Sequence, residues 1–333
     1  MKKEYIILSM VIVLLAAYLV LHDSNRSRYE LPTVPVAAEK ELTKIEIKQA
    51  DKTLTVTRKA NDWTVGDQAW PADAQKVNAI TAAISKLRLT ALVSTAKVYE
   101  RYDLTDDKKI TVTAWVGDKV LLTFDIGKAA DTYQHTFVML PGDSNVYHAM
   151  NNFRKTFETS ADDLRDKQVI AVSVAEIKDI KLASEGKTIT LSRMEEPVAE
   201  EKKKSAETEK PADPAAGPAK DLEITEPRMQ TVWKNESGES VDKAVVERFL
   251  SNFSDMKCES YLNDIKKEDL MAPIVDITLS GDKKSYAVSV FEKKDGKYSG
   301  VSSENAYPFQ LREYVVDGIN KEIKTLMGIK EPS

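Results

Sequence analysis

The side chains that most often do chemistry in proteins are sparse in this sequence. Its 333 residues include three histidines, His22, His135 and His148, and one cysteine, Cys258. No two histidines have the four-residue spacing with which a helix holds zinc, and no His-Glu-x-x-His occurs. Since one cysteine cannot form an intramolecular disulfide, we expect Cys258 to be a small buried apolar residue rather than a reactive thiol.

The short motifs of common enzymes are also missing from the sequence. It has no Gly-x-Ser-x-Gly and no glycine-rich phosphate loop with a Walker lysine. Asp143 and Ser144 come shortly before His148, but in a predicted hairpin turn, where a hydrolase triad is not favoured. Capping and solvation explain the adjacent carboxylates Asp106-Asp107 and Asp162-Asp163 better than acid-base catalysis. We therefore expect no enzyme activity, no cofactor and no metal site.

Five residues stand out as candidates for a structural or a docking role. A tryptophan can stack on a sugar, but Trp63 and Trp233 occupy equivalent places in an internal repeat, which favours core packing. The run Arg165, Asp166 and Lys167 carries alternating charges near the end of the first repeat. It is interpreted as a buried salt-bridge cluster or as a docking surface, with the structural role as the default.

Composition is that of a globular protein with no basic surface for nucleic acid. Hydrophobic residues make up 42% and charged residues 30%, so the chain can bury ordinary cores. The formal net charge of −5 does not favour a groove that follows a phosphate backbone. The length suits one short segment and two domains.

The N-terminus carries the strongest local signal. Lys2 and Lys3 precede an uncharged apolar run over residues 5–21, which predicts a transmembrane helix and a membrane anchor over residues 1–28. A cleaved signal peptide is the competing interpretation, but bulky residues rather than a small-residue cleavage site close the run. We expect the N-terminus inside, the rest outside the cytoplasm, and a proline-containing tether over residues 29–40.

An internal repeat organises the remaining chain. Residues 41–58 align without a gap on residues 176–193, with apolar residues alternating in both copies. This period of two predicts paired strands with one buried face. The predicted units are 41–170 and 171–330, the second with a disordered, charged and proline-rich insertion at 195–221.

Helices are predicted at matching places in each copy. Asp73 and Asp242 each precede a stretch with helical apolar spacing and are suitable N-caps. A closing helix is predicted after Tyr147 in the first copy and after Pro308 in the second. The fold class is therefore α+β: an N-terminal transmembrane helix followed by two tandem related units of mostly antiparallel sheet with packed helices.

The first copy resembles a bacterial family, the domain of unknown function 4340. The similar features, in order, are the strands ending at Arg58, Trp63, the Pro71-Ala72-Asp73 helix start, Tyr102-Asp103-Leu104, Asp125-Ile126-Gly127 and Leu164-Arg165-Asp166-Lys167. The family commonly has Gly-Leu where this chain has Asp103-Leu104, and the second copy has no clear Arg-Asp-Lys run. The resemblance implies a partner of a gliding-motility-type ABC transporter with its permease and ATPase.

Two functions are therefore expected as alternatives. The first is a non-catalytic accessory subunit of an ABC-type transport system, held at the cytoplasmic (inner) membrane by residues 5–21 with its bulk in the periplasm. The second is an independent extracytoplasmic binding module for envelope polysaccharide or peptide. The presence of permease and ATPase genes beside this one would favour the first.

Overall fold

The computed structural model describes residues 3–23, 30–50, 52–197 and 229–329. Residues up to Asp166 form one compact unit, and residues from Lys167 onwards form another. The predicted insertion at 195–221 falls outside the described residues except for its first three positions, which belong to a strand.

The described residues contain six α-helices and twenty strands. The helices are α1 (Lys3–Asp23), α2 (Ala74–Ser85), α3 (Arg154–Phe157), α4 (Ala161–Leu164), α5 (Lys243–Ser251) and α6 (Glu313–Leu326). The strands of the first unit are β1 (Leu42–Gln49), β2 (Lys52–Lys59), β3 (Asp62–Val65), β4 (Trp70–Pro71), β5 (Leu89–Ser94), β6 (Ile110–Val116), β7 (Lys119–Ala129), β8 (His135–Met139) and β9 (Val146–Met150). Those of the second are β10 (Gln168–Ile170), β11 (Ile177–Ser184), β12 (Lys187–Pro197), β13 (Met229–Asn235), β14 (Ser240–Val241), β15 (Met256–Lys257), β16 (Ser260–Tyr261), β17 (Val275–Gly281), β18 (Ser285–Lys294), β19 (Lys297–Ser302) and β20 (Phe309–Leu311).

The two units repeat one sheet topology. The first sheet has nine strands in the order β4-β3-β2-β1-β6-β7-β8-β9-β5. The second has nine in the order β14-β13-β12-β11-β17-β18-β19-β20-β16, the same order when β1 is matched to β11. A small pair, β10 with β15, is added in the second unit. The repeat in the sequence thus corresponds to a repeat of the complete sheet.

The predicted fold class is wrong. Sheet dominates, as two large antiparallel sheets with a few helices. In the described part of the chain, no helix is both long enough and apolar enough to cross a membrane. The uncharged stretch of α1, residues 5–21, covers only about 25 Å at ~1.5 Å per residue, less than the ~30 Å hydrocarbon core. The transmembrane anchor is therefore withdrawn.

One face of the first sheet is buried because its strands alternate apolar and polar residues. Ile45 lies between Val56 on β2 and Ala114 on β6, and Ile47 lies between Leu54 and Val112 in the same way. α2 covers this face with three buried side chains, Val77, Ile80 and Ile84. The second unit buries the matching face under α5 and α6.

Local capping rules place the helix starts correctly. The carboxylate of Asp73 accepts hydrogen bonds from the backbone amides of Gln75 (2.9 Å) and Lys76 (3.2 Å). Asp242 accepts one from the amide of Ala244 at 2.8 Å. Both predicted N-caps are confirmed.

The closing helix predicted after Tyr147 in the first unit is present only as two short helices. The residues around Tyr147 form strand β9, which pairs with both β8 and β5. Helix appears only afterwards, as the four-residue turns α3 and α4. Pairing on both sides buries Val146, Tyr147 and Ala149, and this tertiary gain outweighs local preference.

Candidate functional site

The face of the first sheet opposite α2 carries rows of hydroxyl groups. Because side chains alternate across a strand, the threonines that flank the buried residues all point to this face, which we call the hydroxyl face. Its members are Lys44, Glu46, Lys48, Thr53, Thr55, Thr57, Thr111, Thr113, Trp115, Thr123 and Asp125.

Hydrogen bonds across β6 and β7 hold three of these hydroxyl groups, those of Thr111, Thr113 and Thr123. Thr111 Oγ1 donates to Asp125 Oδ1 over 2.6 Å, and Thr123 Oγ1 lies 3.3 Å from Thr113 Oγ1. Asp125 also pairs with Lys109, whose Nζ is 3.2 Å from its Oδ2. Burial alone would lower the pKa of Lys109, but Asp106 and Asp125 outweigh it and raise that pKa. An ion-paired Asp125 is a structural group rather than a general base.

The second unit has a similar arrangement in which the hydroxyl and the carboxylate exchange strands, since Asp276 on β17 takes the place of Thr111 and Ser289 on β18 takes that of Asp125. Ser289 donates to Asp276 over 2.6 Å and Ser192 donates to Asp179 over 2.7 Å. Thr278 holds the place of Thr113, because it lies opposite Lys181 as Thr113 lies opposite Glu46. Hydroxyl-carboxylate pairs on an open sheet face are thus a shared property of both units.

Aromatic groups and histidines occupy the far end of the hydroxyl face in the first unit. The rings of His135 and His148 stack with centroids 5.2 Å apart, and Phe137 lies 4.9 Å from His148. Burial, and secondarily His135, lower the pKa of His148. Its Nε2 is shielded from solvent and has no hydrogen-bond partner among the described residues. These surroundings therefore favour the neutral form of the ring.

A hydrolase triad is not assembled around His148. Asp143 accepts a hydrogen bond from the Tyr147 hydroxyl at 2.6 Å and another from the Asn145 amide at 2.9 Å, as in a turn. Tyr147 points to the buried face, whereas its neighbour His148 points to the open one. Among the described residues, no group of three or more histidine, cysteine, aspartate or glutamate side chains is placed to hold a metal ion.

A short 3-10 turn, Tyr99–Tyr102, packs over β7 beside the histidines. The Tyr102 ring lies 4.9 Å from Phe137. Asp103 ends the turn in the left-handed conformation, with φ of +53°, which glycine adopts with less strain than other residues. Gly127 is required beneath it, since a Cβ there would lie 2.2 Å from the Tyr102 carbonyl oxygen.

The two tryptophans singled out in the sequence are buried. Trp63 is 8% and Trp233 is 3% exposed, so neither ring is open to a ligand. Beside each lies an arginine of the preceding strand, Arg58 and Arg193. Arg58 donates to the carbonyl of Lys40 over 2.7 Å, and Arg193 donates to that of Ala175 over 2.6 Å, eighteen residues earlier in each case.

The run Arg165, Asp166 and Lys167 is divided between the two units. Arg165 is 3% exposed and lies over the Trp70 ring at 4.3 Å. The amide of Asp166 donates to the Pro71 carbonyl over 2.8 Å. Lys167 begins the second unit, where its Nζ lies 5.4 Å from the Tyr261 ring. Each of the three residues therefore has a contact within its own unit.

A model of a domain of unknown function (DUF4340) matches residues 63–273, more than half of the chain. The chain belongs to the DUF4340 family. The matched residues extend from Trp63 into the second unit. No curated protein and no solved structure is similar to this DUF4340 chain.

Sequence reasoning missed the histidine pair and the hydroxyl face. His135 and His148 are thirteen positions apart, and only the β8–β9 register, with His135 opposite Met150 and Phe137 opposite His148, brings them together. The available signal was the run Thr53-x-Thr55-x-Thr57 and its counterpart Thr111-x-Thr113. Alternation of this kind indicates a polar strand face, but not which strands lie side by side.

Proposed function

We propose that this DUF4340 chain is a non-catalytic accessory subunit of an ABC-type transport system, acting outside the cytoplasm. The observation that carries the proposal is the open, hydrogen-bonded hydroxyl face, present in both units. Among the described residues, α2 in the first unit and α5 and α6 in the second pack on the opposite face of the sheet, and the Tyr99–Tyr102 turn covers only the far end of the hydroxyl face. A rigid polar surface with a few aromatic groups is typical of a protein-protein contact. The ABC association itself rests on the family's resemblance to transporter partners.

Catalysis is disfavoured by what surrounds each reactive group. Asp125 is paired with Lys109, Asp143 with Tyr147, and His148 is enclosed by rings. Cys258 is 7% exposed in the second core. None of these groups combines the exposure and the oriented partner that a nucleophile or a base requires.

The test is co-purification from the native host in mild detergent. The tagged chain should retain the permease and the ATPase, and Thr113→Glu should reduce their recovery by about tenfold, because a buried unpaired charge at a contact costs at least ~1.4 kcal/mol. Asp67→Lys, in an exposed turn, is the matched control and should leave recovery unchanged. Absence of any transport component with the wild-type chain would refute the proposal.

A second candidate is a binding module for envelope polysaccharide. It is favoured by Trp115, a half-exposed ring on the hydroxyl face with Lys44 Nζ 4.5 Å from its centroid. Hydroxyl groups beside an aromatic ring are suited to sugars. Sedimentation of the purified chain with insoluble cell-wall glycan, lost in Trp115→Ala, would favour this candidate over the first.

A further inference from the structure

The two large sheets end in four edge strands of unequal length. Three of them, β4, β14 and β16, are two residues long, and β4 contains Pro71. The fourth, β5, runs over six residues, Leu89–Ser94. Proteins usually protect an edge by keeping it short or by placing proline or charge on it. β5 is longer and carries neither proline nor charge, since its sequence is Leu-Thr-Ala-Leu-Val-Ser, although its pairing with β9 shifts register between Leu89 and Ala91 and between Leu92 and Ser94.

The outer side of β5 offers free backbone groups. Within the described ranges, β5 pairs with β9 and with no other strand. The amide of Met150 donates to the Arg88 carbonyl over 2.9 Å, while Leu89 lies opposite Ala149. In an antiparallel pair this makes Leu89 and Ala149 a non-hydrogen-bonded pair. The amide and carbonyl of Leu89 therefore point away from β9, towards the open side.

A groove leads to the same edge. It has a volume of about 400 Å³ and lies between residues 32–36 and residues 85–89, the start of β5. Val36 on its wall is 60% exposed. An extended segment that pairs with β5 can thus continue into this groove, beyond the first residue of β5.

The charges around β5 favour one kind of binding segment. Arg88 and Lys97 are exposed at its two ends, and Lys86, which is paired with Glu39 over 3.7 Å, lies beside Arg88; no acidic residue occurs in the sequence from Ala74 to Tyr99. Antiparallel pairing of β5 with a second copy would bring Lys97 of one chain near Lys86 of the other, which is unfavourable. An extended segment with an uncharged centre and acidic ends is complementary to this edge.

We infer that β5 accepts an extended segment of a partner protein as an additional antiparallel strand, with an uncharged centre of about six residues and acidic residues on both sides. This inference rests on the proposed function, because the segment would belong to the transport partner. Main-chain hydrogen bonds supply affinity, and the three basic residues supply preference for the acidic ends.

The test uses the full chain and a fluorescent peptide with alternating threonine and valine between acidic pairs. We expect binding by fluorescence anisotropy, with amide exchange slowed along β5. Two N-methylated peptides, each with a different alternate set of backbone amides blocked, distinguish strand pairing from non-specific binding. One should bind at least about tenfold more weakly, and the other, whose methyl groups face solvent, should bind normally. Equal affinity of the two would overturn the inference.

Charge reversal provides the protein-side test. The double variant Arg88→Glu with Lys97→Glu, both at exposed positions, should have a lower affinity for the peptide with acidic ends. It should have a higher affinity than the wild type for a peptide with lysine ends. Lys119→Glu, at the exposed first residue of β7, is the matched control. The inference would also be overturned if the Leu89 amide were protected from hydrogen exchange in the wild-type chain without peptide, or if the chain formed a dimer through β5. Peptide binding without co-purified transport components would refute the proposed function alone.

Discussion

At the scale of single residues, the environment of His148 gives stability a defined pH dependence. Burial and His135 lower its pKa below the usual 6.5, and Arg88 lies at the same strand end, 3.0 Å from Met150 Sδ. The unfolded chain therefore binds a proton at His148 before the folded chain does. The associated stability is fully present above pH 6.5 and is lost as pH falls through the lower folded pKa.

His148→Gln tests this linkage, because glutamine does not titrate. We expect the fall in melting temperature between pH 7.5 and pH 5 to be smaller in the variant than in the wild type, by a few degrees. Thermal unfolding followed by circular dichroism at several pH values measures it. An identical pH profile in both proteins would show that His148 is not responsible.

Residue-scale predictions succeeded where the rule is local. A carboxylate before a helix start caps the first turn whatever the rest of the fold does, and Asp73 and Asp242 do so. His135 and His148 could not be paired in advance, since their contact depends on strand register. The open face became visible only once the order of β2, β1, β6 and β7 was known.

At the scale of elements, the docking of the Tyr99–Tyr102 turn on β7 depends on one glycine. Gly127→Ala would place a Cβ 2.2 Å from the Tyr102 carbonyl oxygen and 2.9 Å from Leu104 Cγ. The backbone cannot move aside as a flexible side chain can. We therefore expect the free energy of unfolding to fall by about 1–3 kcal/mol. Urea unfolding measures it.

Gly318→Ala is the matched control for the same chemical change. Gly318 lies inside α6, and a Cβ there meets only Asn252 Oδ1, at 3.8 Å. Helix propensity then raises stability by up to ~1 kcal/mol. A Gly127→Ala protein as stable as the wild type would mean that the turn does not pack on β7 as described.

Elements with strict alternation were predictable, and those fixed by tertiary pairing were not. β1, β2, β6 and β7 follow the period of two in the sequence. A helix was predicted after Tyr147, but pairing on both sides first makes Val146–Met150 strand β9, and helix begins only at Arg154. Two short strands that follow α5 closely along the chain, β15 and β16, belong to different sheets.

At the scale of the whole molecule, the repeat was the most informative feature of the sequence. Equivalence of residues 41–58 and 176–193 extends to nine strands in one order in each unit. A family match that begins at Trp63 and ends at residue 273 spans parts of both. The transmembrane helix was wrong because the charge-free run is shorter than the bilayer core it had to cross.

The first unit should fold without the second. It has its own complete sheet and its own core around Phe124, Phe157 and Val112, and a domain of this size can bury enough surface to be stable. We expect residues 30–166 to unfold in one cooperative transition, with circular dichroism and tryptophan fluorescence coincident.

A shorter fragment, residues 30–152, is the control for this prediction. It keeps every strand of the first sheet but removes α3, α4 and the cover given by Phe153, Phe157 and Leu164. It also removes Arg165 from the Trp70 ring, where the two are 4.3 Å apart. Losing several buried side chains at about 3–5 kcal/mol for each phenylalanine exceeds the stability of a typical domain. The shorter fragment should therefore be unfolded, and two equally stable fragments would show that residues 153–166 do not close the first core.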